Sequence, residues 1–112
     1  MGENIKSGIQ LPGPPMPAPP TPGKGKYLVV GNPTGDLMTF VISAAGDIAV
    51  YDSAGQRTVV PIGGTLPIPV PAGHSDGLLI TAFDPMADVP PVDCVSEPPG
   101  GWAALSAERQ YP

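Results

Sequence analysis

The sequence has 112 residues, enough for one small domain, with 18 prolines, 15 glycines and a formal net charge of −5. Its lysines and arginines are limited to Lys6, Lys24, Lys26, Arg57 and Arg109, which excludes the basic stripe that a nucleic-acid backbone requires. The single cysteine, Cys94, excludes an internal disulfide and a cysteine-cluster metal site, and no apolar run approaches the length of a membrane-spanning helix.

Proline and glycine together make up about 30% of the chain, the level of low-complexity sequence. Yet 41% of the residues are hydrophobic and only 13% charged, the opposite of a disordered composition. Both facts hold if a compact β core carries the apolar residues while extended segments carry the prolines. Residues 1–25 read as the first such segment. Pro12, Pro14, Pro15, Pro17, Pro19, Pro20 and Pro22 are too dense for a helix or a central strand, leaving polyproline II or irregular extended backbone. A small core does not cover an arm of this length, so a neighbouring subunit is expected to hold it, with Ile5, Ile9, Leu11 and Met16 as anchors. The N-terminus lacks the cationic-then-apolar order of a signal peptide, and Lys6 stands where a myristoylation motif needs Ser or Thr, so synthesis in a cytoplasm is expected.

The core is expected over residues 26–83. Tyr27–Val30 is a short strand candidate ending in the turn Gly31-Asn32-Pro33-Thr34-Gly35. Leu37–Ser43 alternates strictly, with Met38, Phe40 and Ile42 on one face and Leu37, Thr39, Val41 and Ser43 on the other. Asp47–Tyr51 and Gln56–Val60 flank Asp52-Ser53-Ala54-Gly55. Asp at the first position and Gly at the last are the residues of a type I turn in a four-residue hairpin loop. In Leu66–Val70 the prolines 67 and 69 restrict the segment to an edge strand, and Leu78–Phe83 is the last strand candidate. These features predict an all-β fold, a small antiparallel β-sandwich or barrel of five to six short strands with extended proline-rich arms at both ends. The second arm is expected over residues 84–112, with a short helix over Trp102–Gln110 whose Trp102 and Leu105 dock on the core or on a neighbour.

No catalytic constellation is evident, and the protein is read as a non-enzyme without cofactors or metals. His74, Ser75 and Asp76 are consecutive, whereas a triad needs groups converging from separate segments. The scattered aspartates read as turn residues, Cys94 has no histidine near it in sequence to activate it, and GNPTGD matches neither phosphate-binding glycine loop.

The pieces Tyr27–Gly31, Gly46–Thr58, Gly63–Gly64 and Leu66–Val70 resemble the opening strand, hairpin, glycine link and LP-strand of a small β-domain family of tailed bacteriophages and gene-transfer agents. That family comprises head-spike-base and capsid-decoration-like proteins. The sequence departs from its pattern in carrying Ile68-Pro69-Val70 where a basic residue is frequent, and in its two arms. The resemblance implies a structural virion protein, made in the host cytoplasm, that decorates or cements a capsid or forms a head-spike base. It also implies no catalysis and no cofactor, with the major capsid protein, other virion subunits and copies of itself as partners, and neither nucleic acid nor membrane. The alternatives are a tail or connector component, and a β-domain adaptor whose PxxP spacings are bound by an SH3- or WW-like domain.

Overall fold

The structure is a computed structural model and describes residues 23–111. It is all-β, with nine strands among the described residues. They are β1 (Gly23–Gly31), β2 (Met38–Ala44), β3 (Ile48–Tyr51), β4 (Arg57–Val60), β5 (Leu66–Val70), β6 (Ser75–Ala82), β7 (Val92–Glu97), β8 (Trp102–Leu105) and β9 (Arg109–Tyr111). Every pairing is antiparallel. One sheet runs β4-β3-β6-β1-β8, with β9 also paired to β1, and the other runs β5-β2-β7.

The alternation read from the sequence sets the inner faces. Met38, Phe40 and Ile42 of β2 meet Leu28 and Val30 of β1, Ile48 and Val50 of β3, and Leu78 and Ile80 of β6 in one buried cluster. This burial of two facing apolar surfaces is the main stabilising term of the fold. The β3–β4 hairpin forms as its turn residues require. Gly55 adopts φ of 83°, and Asp52 Oδ1 accepts from the amides of Ala54 and Gln56, both at 2.9 Å. Strand β5 lies at a sheet edge beside β2, where its two prolines leave no ladder bond unmade.

The architecture differs from expectation in three places. Strand β1 starts at Gly23, so residues 23–25 belong to the fold and not to the first arm. Strand β6 is central, between β3 and β1, and begins at Ser75. The segment expected as a second arm is folded over residues 84–111 into three strands, and no helix forms over Trp102–Gln110. Its prolines stand between strands and not within them: Pro90 and Pro91 precede β7, and Pro98 and Pro99 lie between β7 and β8. In β7, Val92 and Cys94 are half-buried against the core. A two-turn helix has little stability of its own, whereas the side of β1 turned away from β6 offers this segment a row of backbone partners. The ladder wins over helix propensity. The first arm through residue 22, with Ile5, Ile9, Leu11 and Met16, lies outside the described residues.

One buried polar side chain joins the sheets. Asn32, 2% exposed, follows β1. Its Nδ2 donates to Val70 O of β5 at 2.9 Å and to Asp36 O before β2 at 2.7 Å. Its Oδ1 accepts from the Thr34 amide at 3.0 Å and the Thr34 hydroxyl at 2.6 Å. Its backbone N–H donates to His74 O and its carbonyl accepts from the Gly73 amide, both at 2.9 Å. Asn32→Ala removes the side-chain partners of several groups at once and is expected to lower stability by about 2–4 kcal/mol. Asn32→Asp keeps the shape but loses both donors, so it is expected to be as harmful at neutral pH. Urea unfolding of the three proteins measures both effects.

Candidate interaction surface

The segment 102–111 runs along β1 as one interrupted edge strand. β8 pairs with Leu28–Gly31 and β9 with Gly23–Gly25. Between them Ser106 closes the gap: its amide donates to Tyr27 O at 2.9 Å, and its Oγ accepts from the Tyr27 amide at 2.8 Å. The hydroxyl thus stands in for a carbonyl where the register shifts by one residue, as at a bulge. Because Tyr27 and Ser106 form a hydrogen-bonded pair, alternation makes Val29–Ala104 and Gly31–Trp102 hydrogen-bonded pairs as well. The N–H and C=O groups of Ala103 and Leu105 therefore point away from β1, toward the open edge.

The two predicted anchors in this segment sit on opposite faces. Leu105 is paired with the core residue Leu28, on the inner side, and is 39% exposed. Trp102 is paired with Gly31 on the outer side and is 37% exposed, its indole lying over the space that a Gly31 side chain would occupy. The glycine before Trp102 is held more tightly. A Cβ at Gly101 would lie 2.5 Å from Met38 Sδ and from Phe40 Cζ, both in the core.

The outer face of the larger sheet is apolar as well. Tyr51, Leu79 and Tyr27 form one cross-strand row, with Leu79 fully buried at its centre. Burial and the nearby Asp76 carboxylate raise the Tyr27 phenol above its ordinary pKa. Arg57 of β4 places its guanidinium 5.4 Å from the ring centroid of Phe83, just past β6. The two residues flank β3, so their contact spans that strand, where Ala49 is fully buried. Sequence reasoning missed this cover, because it depends on which strands become neighbours. The register of β3 with both β4 and β6 is the signal that locates it.

The residues weighed for chemistry do not converge. His74 Nδ1 lies 3.0 Å from Ala72 O, and Asp76 Oδ1 accepts from the Gly77 amide at 2.9 Å. Cys94 is half-buried, and desolvation, with Asp93 adding to it, pushes its thiol up to about 11. Lys24 Nζ and Asp88 Oδ1 form an ion pair at 2.7 Å. It raises the lysine pKa and lowers that of the carboxyl. No group of three or more His, Cys, Asp or Glu side chains gathers into a metal site among the described residues. No known protein family, curated protein or solved structure matches this chain.

Three measurements check these contacts. Trp102 is the only tryptophan and stands partly in water, so Gly31→Ala is expected to swing the indole outward, shifting its emission to longer wavelength with little loss of stability. Gly101→Ala presses on buried Met38 and Phe40 and is expected to destabilise by about 1–3 kcal/mol. Alkylation of Cys94 at mildly alkaline pH is expected to be about a hundredfold slower in the native chain than in urea, because a thiol near 11 holds that much less thiolate than one at 9.0.

Proposed function

We propose that this chain is a structural subunit of a virus particle of the tailed-phage type, which decorates or cements the capsid. The β domain serves as its platform, and the major capsid protein or other virion subunits are its partners. The observation that carries the reading is the amount of large apolar surface left open on a small domain: Leu37, Ile62, Phe83, Met86 and Val95 are each at least half exposed. Large apolar side chains left in water are available for burial against a partner. The four sequence pieces that resemble the virion family supply β1, the β3–β4 hairpin, the turn after β4, and β5. They lie in both sheets.

A decoration subunit adds to a finished shell from outside. The purified chain is expected to co-sediment with particles that lack it and to raise the temperature at which they release their contents. Failure to bind such particles at saturating concentration would overturn the reading. Binding confined to the tail or connector, seen by electron microscopy, would replace capsid decoration with a tail or connector role.

A further inference from the structure

The three strands of the C-terminal segment differ in what holds them. In β7, Val92 and Cys94 pack on the core. After β7 the backbone touches the core once more, where Gly101 lies against Met38 and Phe40. From Trp102 to Gln110 no hydrophobic side chain belongs to the buried cluster or packs against it, and all four residues of β8 are exposed.

This stretch is held by the backbone of β1 and by polar bonds beside it. β8 pairs with Leu28–Gly31 and β9 with Gly23–Gly25. The Ser106 hydroxyl accepts from the Tyr27 amide at 2.8 Å. Glu108 Oε1 accepts from the amide of buried Val89, also at 2.8 Å. Such bonds exchange for bonds to water on opening, so each contributes less than a buried apolar side chain. Segments with few buried apolar contacts are the ones that open locally while the rest of a domain stays folded.

We infer that Trp102–Tyr111 is a strap that opens from β1 as one unit, turning about Gly101, while the two-sheet core through β7 stays folded. Gly101 stays on Met38 and Phe40, and the Trp102 indole leaves Gly31 with the strap. The open form leaves the N–H and C=O groups of Tyr27, Val29 and Gly31 facing water as a free edge of the larger sheet. Leu28 and Val30 keep their ladder bonds, because alternation along β1 turns their N–H and C=O groups toward Leu78 and Asp76 of β6. One strand thus carries two sets of amides, released by different openings.

Native-state hydrogen exchange on the pure chain, in urea below the unfolding transition, tests the strap and needs no particle. The amides of Val29, Gly31, Trp102 and Ala104 are expected to share one opening free energy that depends little on urea. Those of Leu28 and Val30 are expected to exchange only through global unfolding. Ile48→Val trims a core residue of β3, a strand that does not touch the strap. It is expected to speed the Leu28 and Val30 amides about fivefold and to leave the strap set unchanged. Ser106→Ala removes a bond that both openings break, and is expected to speed both sets by the same factor. The inference is overturned if the four strap amides open at separate free energies, if they exchange only with global unfolding, or if Ile48→Val speeds both sets alike.

Discussion

The two sheets are held in register by Asn32. Six hydrogen bonds meet on this one residue, and they join the end of β1, the start of β2, the end of β5 and the loop before β6. These are two of the places where the chain passes from one sheet to the other. Facing apolar surfaces supply most of the stability, but such burial has no direction and would tolerate sliding of one sheet over the other. An amide whose donors and acceptor are all engaged tolerates no such slide, because any shift strands polar groups away from water. In a domain of this size, where the core is small, that constraint carries more weight than it would in a larger protein.

With the sheets fixed, the remaining features of the surface follow. The central position of β6 leaves it flanked on both sides, and its outer residues Leu79 and Thr81 are as buried as its inner ones. The outer face is closed there by short-range means, with Tyr27 and Tyr51 beside Leu79 and the Arg57–Phe83 contact spanning β3. The same placement of β1 leaves its far side to the C-terminal segment, which enters as a strand with its own register shift at Ser106. Among the described residues, what stays open is the outer edge of that last strand.

Several polar groups of the described residues are engaged by the chain's own backbone or held back by burial. His74 and Asp76 are engaged with the backbone of their own loop, the Cys94 thiol is held protonated by burial, and Asp52 and Asp84 accept from amides in turns. Each does local work on the chain conformation. Large apolar side chains, among them Leu37, Ile62 and Phe83, reach solvent.

Much of this was legible in the amino-acid sequence. Alternation in Leu37–Ser43 determined which residues of β2 share a face, Asp52 and Gly55 determined the hairpin loop, and Pro67 and Pro69 determined that β5 lies at an edge, because each of these depends only on neighbours along the chain. The sequence alone did not determine the fate of Trp102–Gln110 or of residues 84–97. Good helix formers in one case and paired prolines in the other pointed away from strands, and only the long-range availability of the β1 and β2 edges reversed that preference. Tertiary structure likewise decided the anchor faces: Trp102 and Leu105 are three residues apart, one helical face if the segment were a helix, but as strand residues they lie on opposite sides of the sheet. The role of Asn32 was hidden for the same reason. In the sequence it is a turn residue before a proline, and it becomes the link between the sheets only when Val70, distant in the chain, is brought against it.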